Sequence, residues 1–172
     1  MQQLNWQARV FDALKAAGVT IVGYVPDAGH AHLIEASHAD PDIATVVLTT
    51  EEEGVALAAG AWLGGKRAAL LMQSSGVGNT INMLSLPVSC RMPFFTLITM
   101  RGEWAEFNPW QVPMGTATPR VLTQMGVHVR RAEHAEDVAE MVAASAALAF
   151  DSRIPVAVLL SQRLIGAKVF VK

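Results

Sequence analysis

Apolar residues fall along this chain in two alternating patterns. Short unbroken runs rich in Val, Ile, Leu and Phe occupy residues 19–25, 46–48, 68–72, 94–100, 127–130 and 154–160. Runs of that length suit strands buried on both faces, as in a parallel sheet. Between them the spacing becomes helical. Leu4, Val10, Phe11, Leu14 and Ala17 follow a helical repeat within 3–17, which Gly18 closes. Val138, Met141, Val142 and Leu148 do the same within 135–150, and a further helix is expected over 31–37. Thr118-Pro119 is expected to open a short helix. Strand and helix alternate throughout. That predicts an α/β fold of three layers, αβα, around a six-stranded parallel sheet, as one domain over 1–172.

The breaks between these elements carry most of the polar chemistry. Pro26-Asp27-Ala28-Gly29 ends the first strand, and His30 and His32 follow it. Residues 101–118 form a long irregular stretch containing Trp104, Phe107, Pro109, Trp110 and Pro113. Loops of that length tend to be functional or disordered. Three aromatics argue for packing, at a subunit interface or over the mouth of an active site. The last residues, Lys168-Val169-Phe170-Val171, read as an edge strand or docking arm.

Composition narrows the function classes. Of 172 residues 52% are apolar and 16% charged, a surplus that suggests burial against a partner chain. Net charge is −2 and no Lys/Arg block occurs, which argues against a nucleic-acid ligand. Neither a signal-peptide core nor an apolar run of membrane-spanning length is visible, and a cytoplasmic protein is expected. Cys90 is the sole cysteine, so an internal disulfide and a cysteine-rich metal site are excluded.

The stretch TVVLTTEEEGVALAAG, residues 45–60, concentrates the candidate chemistry. A strand read as buried on both faces meets Thr49 and Thr50, three glutamates, and then a helix of small residues. Thr50 with Glu53 has the spacing of a capping box. Glu52 and Glu53 are expected to complement the helix dipole. Glu51 lies nearest the strand end, at the edge where open α/β sheets bind ligands. The third strand ends in Ser74-Ser75-Gly76-Val77-Gly78-Asn79, whose glycines let a loop pass close to a ligand. It lacks a Walker lysine and does not satisfy G-x-G-x-x-G. Arg101 ends the fourth strand, where it can meet an anion or bond to the loop.

Glu51 and Gly60, in E-x-x-x-x-A-x-A-A-G, resemble the pyrimidine-binding (PYR) domain of thiamine-diphosphate enzymes. Met72-Gln73-Ser74-Ser75-Gly76-Val77-Gly78-Asn79 is similar to the MQ-x-SG-x-GN stretch of sulfopyruvate and phosphonopyruvate decarboxylases, and Arg101-Gly102-Glu103 extends the match. The resemblance implies a 2-oxoacid decarboxylase using thiamine diphosphate, with Pro26, Asp27, Glu51, Gln73, Ser75, Gly76, Gly78 and Asn79 around the cofactor. Glu51 would pair with the aminopyrimidine ring nitrogen. His30 is the first candidate for an acid–base group, and His32 and Arg101 are candidates for contact with substrate; Arg91 and Arg120 are further cations for its anionic group. The family's diphosphate and Mg²⁺ site uses a GDG sequence that this chain lacks. The chain is therefore expected to be an α subunit, with that site on a separate β chain and at least two copies of each. This arrangement favours sulfopyruvate over phosphonopyruvate or another 2-oxoacid. Two positions depart from the relatives: Ser74 stands where asparagine is frequent, and Met72 where benzoylformate decarboxylase has histidine. A non-catalytic flavodoxin-like binding domain is the alternative of another class.

Overall fold

The structure is a computed structural model and describes residues 5–166. The expected edge strand at 168–171 lies outside the described residues. In chain order the elements are α1 (Trp6–Ala16), β1 (Val19–Tyr24), α2 (Ala31–Ala39), β2 (Ala44–Val47), α3 (Glu51–Leu63), β3 (Arg67–Gln73), α4 (Val77–Thr80) and α5 (Ser85–Cys90). They continue with β4 (Phe94–Thr99), α6 (Val112–Gln124), β5 (His128–Ala132), α7 (Val138–Ser152), β6 (Pro155–Leu160) and α8 (Gln162–Ile165). The strands form one six-stranded sheet in the order β2-β1-β3-β4-β6-β5, with every pairing parallel. The register brings the carboxyl ends level: Gln73 is opposite Thr99, and Thr99 is opposite Leu160.

Alternation along each strand sends successive side chains to opposite faces. In β3, Ala69 and Leu71 join a core with α1, α2 and α7, including Val10, Leu14, Leu33, Val142 and Phe150. Leu70 and Met72 point the other way, into a core with Val55 and Ala58 of α3 and Leu122 of α6. β4 divides similarly, Phe95 and Leu97 against Phe94 and Ile98. Helices cover both faces, which is why these strands carry apolar residues on both faces rather than at alternate positions. Among the described residues no helix is long and apolar enough to cross a membrane.

Four local expectations are corrected. β2 is an edge strand rather than one buried on both faces, and Val47 is 59% exposed. A three-residue apolar run does not distinguish interior from edge. Position is set by the crossovers, and the first of these places β2 outside β1.

The irregular stretch is also shorter than expected. A 3₁₀ turn at Pro109–Gln111 leads into α6 at Val112, with Pro113 in the first turn, where a missing N–H leaves no bond unmade. Pro119 lies inside α6 instead of opening a helix, and Thr118 Oγ1 donates to the Met114 carbonyl in that interrupted turn. Thr50 occupies the N-cap of α3 without a side-chain cap bond. Glu53 instead reaches back one residue further, where Oε2 accepts the Thr49 N–H at 2.8 Å.

Candidate active site

The chain leaves β1 outward, through α2 to β2, and returns over β1 through α3 to β3 on its other side. The connection leaving β1 thus runs to one side, and the connection leaving β3 runs to β4 on the other. The two diverge above the carboxyl ends of β1 and β3, at the switch point where doubly wound sheets place a ligand crevice. Glu51, Asp27 and Gln73 all come to this point.

Glu51 arrives through close packing. Gly54, one turn further along α3, lies directly on Leu70 of β3; a Cβ there would overlap the leucine side chain. The first turn of α3 thus settles onto the sheet, and Glu51 is 8% exposed while Glu52 and Glu53 face solvent. The carboxyl rests on the 3₁₀ turn Ser74–Gly76, where a Cβ on Gly76 would overlap Oε1. Gly76 has φ −73° and ψ −19°, a conformation open to any residue, so the site requires its small volume and not its flexibility. Asn79 Nδ2 donates to Glu51 Oε2 at 2.7 Å.

Asp27 centres a second set. Oδ1 accepts from Gln73 Nε2 at 2.8 Å; Oδ2 accepts from Thr99 Oγ1 at 2.6 Å and from the Gly29 N–H at 3.2 Å. Ser75 Oγ donates to Gln73 Oε1 at 2.9 Å, so both ends of the Gln73 amide are oriented. Pro26 and Gly78 are exposed on the rim. Three of the expected cofactor residues, Asp27, Gln73 and Ser75, are thus joined in one network, while Glu51, Gly76 and Asn79 form the other. Thr99 was not anticipated. Its only sequence signal is its place at the carboxyl end of a buried strand.

The candidate acid–base and anion-binding residues are placed differently. His30 is 1% exposed, and its Nε2 lies 3.2 and 3.1 Å from the carbonyls of Met72 and Leu97. Carbonyls only accept, so the ring hydrogen is on Nε2, and burial pushes the imidazole below its ordinary pKa. His30 is a neutral ring holding the ends of β3 and β4, whereas His32 is exposed in the first turn of α2.

Arg101 is 5% exposed and closed on Glu106, with Nε to Oε2 at 2.7 Å and Nη2 to Oε1 at 2.6 Å. Glu106 also accepts from the N–H groups of Gly102 and Asn108 and from Gln162 Nε2. The guanidinium, helped by these donors, holds its carboxyl at about 2. Gln162 Oε1 in turn accepts the N–H groups of Glu103 and Trp104, so this network fastens the loop after β4 to α8. Neither Glu106 nor Gln162 had a sequence signal. Arg91 precedes β4 and Arg120 lies in the second half of α6, both toward the opposite edge of the sheet. Trp110 is 83% exposed, and with Pro109, Pro113 and Met114 it lines an apolar pocket.

Comparison with known proteins bears on the family and the fold of the chain. No family model matches the chain. A sulfopyruvate decarboxylase subunit alpha of Methanococcus maripaludis is 33% identical over 158 residues, 91% of this chain and 95% of that protein. Its counterpart in Methanothermobacter thermautotrophicus is 39% identical over 137 residues, 77% and 83% of the two chains. A phosphonopyruvate decarboxylase of Streptomyces viridochromogenes is 39% identical over 63% of this chain but only 28% of its own length.

Among solved structures, the fold matches 2-oxoglutarate:ferredoxin oxidoreductase from Magnetococcus marinus with TM-score 0.75 and 18% identity, over 93% of this chain and 29% of that one. An enzyme of Mycobacterium smegmatis assigned as thiamin diphosphate-dependent gives 0.71 and 20%, over 93% and 31%. Benzoylformate decarboxylase from Polynucleobacter necessarius gives 0.71 and 19%, over 99% and 32%. The chain thus spans about a third of each of these larger proteins. Its identity to the archaeal subunits, over most of both lengths, shows that this chain belongs to the family of sulfopyruvate decarboxylase alpha subunits.

Proposed function

We propose that this chain, as a single PYR-type domain, is the activating half of a thiamine diphosphate-dependent decarboxylase that converts sulfopyruvate to sulfoacetaldehyde and CO₂. One observation carries the reading: a buried glutamate at the crevice, with one oxygen held by Asn79 and the other over a glycine. A carboxyl with one open oxygen, on a floor that any Cβ would fill, fits the edge of a heteroaromatic ring. When bound, thiamine diphosphate supplies the electron sink for decarboxylation. Glu51 holds a proton at the ring's edge and takes it back. Asp27, Gln73 and Ser75 form a preorganised polar wall beside it, with Pro26 and Gly78 on the rim.

His30 fixes the height of β3 and β4 under that wall. Its neutral, enclosed ring leaves proton transfer at the substrate to His32 or to the partner chain. Arg101 is already paired, so the sulfonate's cationic contacts are assigned mainly to the partner. That partner is a beta subunit holding the diphosphate and Mg²⁺, with at least two copies of each chain in the assembly. The relatives' own name, subunit alpha, supports the pairing, and the exposed Trp104 and Trp110 supply apolar contact surface. Cys90 is exposed and free, which suits a reducing cytoplasm. Phosphonopyruvate is the second substrate, supported by the Streptomyces relatives.

Purified alone with thiamine diphosphate, Mg²⁺ and sulfopyruvate, the chain is expected to release no CO₂, and adding the beta subunit should restore turnover. Efficient turnover by the isolated chain would overturn the two-subunit reading. Preference of the pair for phosphonopyruvate would move the assignment to the alternative.

Gly76→Ala gives an independent check. Its backbone tolerates alanine, but the methyl group displaces the Glu51 carboxyl. Overpacking of this kind costs about 1–3 kcal/mol, and a displacement of about 1 Å costs on the order of 10²-fold in rate. Thermal melts and turnover of the reconstituted pair would show both effects; wild-type turnover would mean that the carboxyl does not work from this position.

A further inference from the structure

We propose that Asn79 is a positioning residue that acts through Glu51, fixing which carboxyl oxygen faces the crevice. The inference rests on the cofactor reading above. Glu51 Oε2 accepts Asn79 Nδ2 at 2.7 Å, while Oε1 lies over Gly76. Gly76 and Asn79 are three residues apart at the start of α4, so one helical turn supplies both the floor and the side of the carboxyl's seat.

A carboxyl group turns broadly about its terminal bond, and either oxygen can then face a ligand. The Asn79 bond removes that freedom. An amide N–H needs a lone pair on the oxygen it meets. The carbonyl oxygen of a protonated carboxyl is a better acceptor than its hydroxyl oxygen, so whenever Glu51 is protonated the bond from Asn79 to Oε2 favours its hydrogen on Oε1. Asn79 is itself exposed, so the fold does not depend on burying it. Its contribution is the alignment of a proton.

The bond has a readout in the isolated chain. One Asn79 side-chain amide proton should resonate downfield and exchange slowly with water, and Glu51→Ala should return it to the position of a free amide. A free-amide signal in the unmutated chain would overturn the proposal.

The functional arm uses the reconstituted subunit pair with thiamine diphosphate. It measures cofactor affinity by calorimetry and exchange of the thiazolium proton by quenched NMR. Asn79→Leu is expected to slow exchange by about tenfold, up to on the order of 10²-fold, with a much smaller change in affinity. Asn79→Ser, a smaller replacement, covers the case in which leucine disturbs folding. In a Glu51→Gln background the Asn79 replacement should have no further effect, because the two residues act as one unit. Full additivity, or wild-type exchange in both single variants, would overturn the positioning role. If Glu51→Gln alone leaves exchange unchanged, the cofactor reading fails, and the proposal falls with it.

Discussion

Glu51→Gln is expected to fold, to join its partner subunit and to bind cofactor, yet to lose roughly 10²- to 10⁴-fold in turnover, the range for displaced acid–base function. Glutamine has nearly the same shape and keeps an oxygen for Asn79, but its amide cannot release and recover a proton. The seat on Gly76 and the bond from Asn79 are compatible with either side chain. Folding and binding should therefore survive. Glu52→Gln and Glu53→Gln are the internal controls. Both side chains face solvent, and Glu53 is committed to the Thr49 N–H at the helix start. Each should alter stability slightly and leave exchange of the thiazolium proton intact. If Glu52→Gln stops that exchange while Glu51→Gln does not, the active carboxylate has been misassigned. Wild-type behaviour in all three would remove this chain from the activating role.

Arg101→Met should cost about 3–5 kcal/mol, the penalty for removing one member of a buried ion pair and leaving the other charged. Both side chains are almost fully enclosed, at 6% and 4% exposure. Methionine fills much of the space but leaves Glu106 without its guanidinium. Adding Glu106→Leu should recover only part of the loss, because the N–H groups of Gly102 and Asn108 and the Gln162 amide would then lose their acceptor. Urea titrations of the single and double variants measure this. If Arg101→Met keeps wild-type stability and instead raises KM for sulfopyruvate, the arginine binds the substrate's anion.

The same pair sets an acid limit. Glu106 has its folded-state carboxyl at about 2 against an ordinary 4.5, so its contribution is complete above pH 4.5 and disappears as pH falls through about 2. His30 adds a loss at higher pH. Its folded pKa lies below the ordinary 6.5, so the unfolded chain takes up its proton first and stability declines once pH drops below that value. Arg101→Met should flatten the limb below pH 4.5 and leave the histidine limb unchanged.

What the sequence by itself determined is the class of fold and the sheet edge at which the candidate site residues gather. Runs such as Leu70-Leu71-Met72 and Phe94-Phe95 are apolar at every position because helices cover both faces of the sheet, and that composition is visible without coordinates. Glu51, Asp27, Gln73 and Ser75 were legible because each follows or ends a strand, and motif spacing named them. Only the tertiary structure decided which of these groups meet. Thr99 reaches Asp27 across 72 positions, and the His30 ring bonds to carbonyls 42 and 67 residues away. The edge position of β2 has the same origin. Val46 and Val47 look like any buried strand, and only the outward crossover places them at the border. Arg101 and Glu106 are five residues apart, but enclosing their charges required α8 to bring Gln162 against them. Local pattern records burial and backbone conformation. The order of crossovers, which periodicity does not encode, determines which side chains become neighbours.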